Sequence, residues 1–269
     1  MEYFDSKKHS KTLENAILGR KIALIGSKLL AFQIGNDPVP LKYVGIKAKL
    51  CEKLGIPFEH FVISSAVSDE EIIEIAHLKF NEPSIGGVIV QLPIRQSLNP
   101  IILDLIPLNK DVDLLSSINR IQSFEGRISL KAPIFRACEY FIDSINKPIE
   151  DLSVLVIGDG YLVGNVVYSS LRNRVRQIDL TNNYATGTKI NYDLVILGAG
   201  IPNLVKGDDI NPGASVIDFG TSESNGVLVG DLDLSSNLDH LNVVSKSPGG
   251  MGPIVTRFLI INFLDLLGV

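Results

Sequence analysis

Leu152-Ser153-Val154-Leu155-Val156-Ile157-Gly158-Asp159-Gly160-Tyr161-Leu162-Val163-Gly164 decides the fold of this chain. The apolar run 152–158 has the length of a buried strand, glycines break it at 158 and 160, and helical spacing follows to about Arg174. A strand that passes through a glycine turn into a helix gathers backbone N–H groups and a helix N-terminus at one point. That point favours a phosphate. The spacing here is G-x-G-x-x-x-G, looser than the usual dinucleotide fingerprint, and glycines also serve ordinary tight turns. Asp179 adds context. It falls near the end of the next expected strand, 175–180, about where an acid that binds a ribose 2′-hydroxyl belongs. The alternative for Asp179 is a solvated acid that contacts nothing.

The same pattern extends both ways from this stretch. Downstream, strands are expected at 193–198, 214–219 and 241–244, with a hairpin-like stretch around Asn225-Gly226 and a last helix from Pro253 to about Leu267. Upstream, strands at 28–34, 58–63 and 86–91 alternate with helices. One helix spans 40–54 and ends at Gly55. Another is capped by Ser68-Asp69-Glu70-Glu71 and runs to about Phe80, with acids in the first turn opposing the helix dipole. Asn99-Pro100 opens a short helix, and a further one is expected at about 135–145. Apolar strands alternating with helices predict α/β architecture with parallel sheets covered on both faces.

Composition sets the function classes. A hydrophobic fraction of 45% against 20% charged residues is globular, and 269 residues can bury two cores. A net charge of −5 argues against nucleic acid as a partner. Cys51 and Cys138 stand alone, which excludes a disulfide framework and points to a reducing compartment. His9, His60, His77 and His240 are scattered, so no metal is expected. Neither a leader nor a membrane span is legible, and a cytoplasmic protein is expected.

Three short stretches carry chemistry. Tyr43 and Lys47 are one helical turn apart and share a face. Apolar neighbours such as Leu50 and Cys51 would desolvate Lys47 and lower its pKa, which suits proton transfer; a lysine lying along apolar surface is the alternative. Gln91 closes the strand 86–91, where open α/β sheets place ligands, and its amide oxygen suits a lysine. Asp113 follows in a polar loop, Lys110-Asp111-Val112-Asp113, as an acceptor for a paired N–H edge or as a loop cap.

With these residues in view the chain resembles the bifunctional methylenetetrahydrofolate dehydrogenase/methenyltetrahydrofolate cyclohydrolase family. The matching stretches are IGNDPVPLKYVGIKAKLCEKLGI (34–56), GGVIVQLPI (86–94), IPLNKDVD (106–113), GAGIPNLVKGDDINPGASVIDFG (198–220), VGDLD (229–233) and SPGGMGPIVT (247–256). The resemblance implies a folate-side catalytic domain at 1–117 closed by the C-terminal helix 253–269, and a Rossmann-type NAD(P) domain at 118–252. It implies that Lys47 is the catalytic lysine, Tyr43 packs on the pterin, Gln91 bonds the lysine and Asp113 holds the pterin edge. Leu92, Pro93, Gly249, Gly250 and Pro253 would border the folate. Gly158, Asp159, Gly160, Val163, Gly164, Asp179, Gly198, Ala199 and Gly200 would line the cofactor. The expected reaction oxidises 5,10-methylenetetrahydrofolate and hydrolyses the product to 10-formyltetrahydrofolate. A homodimer is expected, without membrane or nucleic-acid partners.

The chain also departs from the family's pattern. Pro40 replaces a serine, Leu114 replaces the glycine after Lys110–Asp113, and Ala132-Pro133-Ile134-Phe135-Arg136-Ala137 replaces a Pro-x-Thr-Pro helix entry. These changes admit two other readings: a catalytically weak folate- or nucleotide-binding relative with a regulatory role, or a dehydrogenase acting on another pterin. Gly158-Asp159-Gly160 replaces Gly-Arg-Ser, and the His-Ser-Lys-Thr expected near Leu180-Thr181-Asn182 is absent. Groups that would hold a 2′-phosphate are therefore missing. Asp159 and Asp179 favour NAD over NADP, with Arg174 and Arg176 as the counter-argument.

Overall fold

The computed structural model describes residues 1–20, 26–224 and 226–269. Its elements begin with β1 (Glu2–Tyr3), α1 (Ser6–Leu18), β2 (Lys28–Ile34), α2 (Pro38–Leu54), β3 (Phe58–Ile63), α3 (Asp69–Phe80) and β4 (Ile85–Val90). Then come α4 (Asn99–Asp104), α5 (Ser117–Phe124), α6 (Pro133–Ile142), β5 (Ser153–Ile157), α7 (Gly164–Leu171), β6 (Gln177–Thr181) and β7 (Leu194–Leu197). The chain closes with β8 (Val205–Lys206), β9 (Ser215–Asp218), β10 (Ser222–Ser224), β11 (Val227–Val229), β12 (Leu232–Asp233), β13 (Val243–Ser245) and α8 (Gly252–Leu267).

The chain divides into two compact units, neither of them contiguous. A lysine unit comprises Thr12–Pro133 and Thr256–Val269, and a glycine-turn unit comprises Met1–Lys11 and Ile134–Val255. These limits differ from the expected 1–117 and 118–252. Residues 118–133 stay with the lysine unit, because Asn262 of α8 donates to the Val112 and Lys131 carbonyls, both at 2.9 Å. The first eleven residues join the glycine-turn unit, because β1 extends its sheet in parallel beside β13.

In the lysine unit three parallel strands run in the order β3-β2-β4. Every residue of β4 is buried, as expected of a parallel strand covered on both faces. Phe32 and Phe80 meet edge to face at 5.1 Å in a core with Leu30, Ile72 and Ile102. The expected cap of α3 is present and forms a capping box: Ser68 accepts from the Glu71 N–H, and Glu71 reaches back to the Ser68 N–H. Glu14 of α1 ties α2 and α8 together through Lys53 at 2.7 Å and Arg257 at 2.5 Å.

In the glycine-turn unit six parallel strands run in the order β1-β13-β9-β7-β5-β6. Their core holds Leu155, Val195, Leu197, Val216 and Val244. The strand order reverses between β5 and β7, and ligands bind beyond the carboxyl ends of strands at such a switch point. Gly158 follows β5 and Gly198 follows β7, so both sit there. Ser222–Ser224 and Val227–Val229 pair antiparallel; the Asn225 of the expected hairpin lies outside the described residues.

Candidate active site

Lys47 is carried by α2, one turn beyond Tyr43, and its ammonium nitrogen donates to Gln91 Oε1 at 2.9 Å. Gln91 stands just past the carboxyl end of β4 and is held twice more. Its backbone N–H donates to the Phe32 carbonyl, and its side-chain amide donates to the Leu92 carbonyl at 2.8 Å. The amide is therefore fixed with its oxygen toward the lysine. Leu92-Pro93 follows with a cis peptide bond.

Asp113 completes this cluster. Burial lowers the Lys47 pKa from the usual lysine value, and the Asp113 charge opposes that shift. Burial pushes the Asp113 carboxyl up to about 6, the Lys47 charge pulls it down, and Asp111 pushes it up again. The two groups thus lie near enough to feel each other's charge, each with a pKa moved toward neutrality.

The loop that carries Asp113 is rigid. Asp111 is wholly buried and accepts from the Leu115 N–H at 2.9 Å, the Ser116 N–H at 3.0 Å, the Ser116 hydroxyl at 2.7 Å and Asn119 Nδ2 at 3.2 Å. Leu114, the departure from glycine, is buried with φ +53°. It keeps the left-handed backbone that a glycine would adopt easily, at a cost of about 1–2 kcal/mol.

The second cluster surrounds the glycine turn. Gly158 has φ +101°, and a Cβ there would lie 2.5 Å from the Ala199 nitrogen; one on Gly164 would lie 1.7 Å from the Gly158 carbonyl oxygen. Turn, loop 198–199 and helix start are packed backbone to backbone. Gly160 differs: the nearest atom to a Cβ there would be Gly198 O at 3.9 Å. Packing within the protein does not demand glycine at 160, whereas the close approach of a pyrophosphate does. This open cradle before the N-terminus of α7 fits a dinucleotide.

Asp179 lies two residues before the end of β6, paired with Leu155, and its carboxylate accepts from Tyr192 Oη and Gln177 Nε2, both at 2.7 Å. The residue opposite Ile157, which leads into the turn, is Thr181. The next residue, Asn182, accepts from the Asp159 N–H at 2.7 Å. Arg174 is paired with Glu139 at 2.5 Å and lies over the Phe135 ring; Arg176 reaches Asp193 at 3.3 Å. Gly249, Gly250 and Pro253 belong to the glycine-turn unit, and the Gly249 carbonyl accepts from the Ser6 hydroxyl.

Two buried acids escaped the sequence reading. Asp231 accepts from the Ala199 and Gly200 N–H groups at 2.7 and 3.1 Å through Oδ2, and from the Ile201 N–H at 2.9 Å through Oδ1. Asp218 accepts from the N–H groups of Gly220, Asp231 and Leu232 at 2.8, 3.2 and 3.0 Å. Burial raises both carboxyls, Asp218 to about 7, while these N–H groups hold them down. In the sequence each is an acid among apolar residues within two positions of a glycine, Gly220 for Asp218 and Gly230 for Asp231.

Comparison with known proteins agrees with this division of labour. The catalytic-domain model of tetrahydrofolate dehydrogenase/cyclohydrolase matches residues 4–113, and that family's NAD(P)-binding-domain model matches 134–268. The Bifunctional protein FolD of Sulfurovum sp. (strain NBC37-1) is 32% identical over 251 residues, covering 88% of this chain and 86% of that protein. The protein of the same name from Clostridium novyi (strain NT) is 30% identical over 259 residues, covering 95% and 92%. The crystal structure of the bifunctional enzyme FolD from Campylobacter jejuni superposes with a TM-score of 0.90 at 25% identity, covering 100% of this chain and 99% of that one. With a held lysine in one unit, a dinucleotide cradle in the other and matching models over both, the chain belongs to the bifunctional tetrahydrofolate dehydrogenase/cyclohydrolase family.

Proposed function

We propose that the chain oxidises 5,10-methylenetetrahydrofolate with a nicotinamide cofactor and hydrolyses the resulting 5,10-methenyl cation to 10-formyltetrahydrofolate, with Lys47, Gln91, Asp113 and Tyr43 as the folate-side residues. The carrying observation is the Lys47–Gln91 hydrogen bond beside Asp113. In the first step the bound cofactor supplies the hydride acceptor. The protein's own part is alignment: Tyr43 packs on the pterin, and Asp113 accepts from its N–H edge. Leu92 and Pro93, just past Gln91, border the folate in the lysine unit.

In the second step water adds to the electron-poor one-carbon bridge. Its proton passes to Lys47, whose pKa burial lowers, so that this lysine gives up its own proton and exposes a free electron pair more readily than a solvent-exposed one. Gln91 accepts an N–H from that amine and so fixes the direction of the pair. Proton return and cleavage of one bridge C–N bond leave the formyl group on the other nitrogen. Lys47→Met is expected to lower methenyltetrahydrofolate hydrolysis by about 10²–10⁴-fold while cofactor binding persists. Undiminished hydrolysis would refute the role of the lysine. An assay of the unaltered chain with methylenetetrahydrofolate and each nicotinamide cofactor tests the whole reading; folate binding without turnover would make it a binding relative.

NAD is the proposed cofactor. The support is the Asp159 carboxylate at the turn and the engagement of Arg174 and Arg176 by Glu139 and Asp193. Asp179, already bonded to Tyr192 and Gln177, adds little to this argument. A homodimer is carried over from the family resemblance, and a cytosolic location from the two lone cysteines; sedimentation as a monomer at micromolar concentration would remove the first.

A further inference from the structure

The loop that follows β7 has no side chain able to hold it in place: it reads Gly198-Ala199-Gly200-Ile201. Its order comes from Asp231. That carboxylate is wholly buried and takes the three successive N–H groups of residues 199–201 at 2.7, 3.1 and 2.9 Å. Asp231 is itself pinned, since its N–H donates to Asp218 at 3.2 Å. Space around it is closed: a Cβ on Gly220 would lie 2.1 Å from Asp231 Oδ1. On its other side the loop meets the dinucleotide turn, where Gly158 touches Ala199 and Gly198. A second tether, from the Ser222 hydroxyl to the Gly200 carbonyl at 2.7 Å, lies nearer solvent.

We infer that Asp231 is a positioning residue for the nicotinamide cofactor, acting through loop 198–201, which it holds against the phosphate-binding turn. By drawing three N–H groups inward the carboxylate also withdraws them from the ligand, and the Gly198 carbonyl remains facing the turn. The loop then offers the cofactor an acceptor and apolar contact, while the anion is left to Gly158–Gly164 and the start of α7. This rests on the cofactor reading above, so binding of NAD and NADP to the unaltered chain is measured first; its absence would refute that reading and not the role of Asp231.

The test is Asp231→Asn. The amide keeps the shape, yet turns one acceptor into a donor that faces a backbone N–H. Cofactor dissociation constant and dehydrogenase KM for cofactor are expected to rise at least tenfold. Hydrolysis of methenyltetrahydrofolate, which consumes no nicotinamide, is expected to stay within twofold. A merely structural role would lower both activities in parallel, and that result overturns the inference, as does an unchanged cofactor dissociation constant. If Asp231→Asn does not fold, Ser222→Ala decides. Removing the outer tether is expected to weaken cofactor binding about threefold with hydrolysis unchanged, and unaltered binding overturns the inference.

Discussion

Asp113→Asn is expected to stabilise the protein while impairing it. The carboxyl rises from 3.8 to about 6 on folding, a shift of roughly two units at about 1.4 kcal/mol each. Ionised Asp113 therefore costs the folded state about 3 kcal/mol. Its attraction to Lys47 is already included in that value. An asparagine avoids the charge, and its buried amide costs about as much as the neutral carboxyl it replaces, about 1 kcal/mol each, which leaves a gain of about 3 kcal/mol. The sign with pH follows from proton binding. The folded state holds the Asp113 proton more tightly than the unfolded chain, so the wild type loses stability as pH rises from about 4 to about 6. The gain from Asp113→Asn is full above that window and vanishes below it. Urea unfolding at pH 7.5 and pH 4, followed by a probe in the lysine unit, reads it. With a slope of about 3 kcal/mol/M, the midpoint should move up by about 1 M at pH 7.5 and barely move at pH 4. In parallel, the KM for folate should rise. A lower midpoint at pH 7.5, or the same gain at both pH values, would refute the buried-charge account.

Three further outcomes are expected. Asp159→Arg places a cation at the turn and should move the ratio of kcat/KM toward NADP by at least tenfold; an unchanged ratio would mean that Asp159 does not face the adenosine ribose. Leu114→Gly relieves about 1–2 kcal/mol of left-handed strain but forfeits a buried leucine worth about 2–5 kcal/mol, so thermal unfolding should show a net loss. Asn262→Ala removes both bonds from α8 to the Val112 and Lys131 carbonyls, a loss of about 2–3 kcal/mol. It should raise the KM for folate through the Asp113 loop without altering the cofactor dissociation constant; a change confined to the cofactor would contradict the assignment.

Much of this was legible in the sequence where the signal is local. The run KLLAFQI became β2 at its expected limits, FEHFVI became β3, and Ser68 caps α3 as expected. The Lys47–Gln91 pair was expected because a helical face and a strand end each point in a direction set by local geometry. What failed depended on register or on distant partners. The spacing from Gly158 to Asp179 could not reveal that Ile157 pairs with Thr181, nor that the Asp179 carboxylate bonds Tyr192 and Gln177. β1 has two residues, too few for any periodicity, and exists through pairing with β13. Asp218 and Asp231 were invisible as a pair because only the fold brings their carboxylates to consecutive backbone amides.

The interleaving of the two units has a consequence for biosynthesis. Residues 2 and 3 are made long before their sheet partner, Val243–Val244. The lysine unit likewise lacks Thr256–Val269 until those residues are made. Neither unit can finish folding before then, and the sequence separation of these pairings slows closure. Until then β4, buried along its whole length in the finished protein, lacks the Phe263 side chain that packs against Gly87. Fragments cut near residue 133 would inherit the same exposed surfaces permanently, so co-expressed halves should accumulate in inclusion bodies where the intact chain does not.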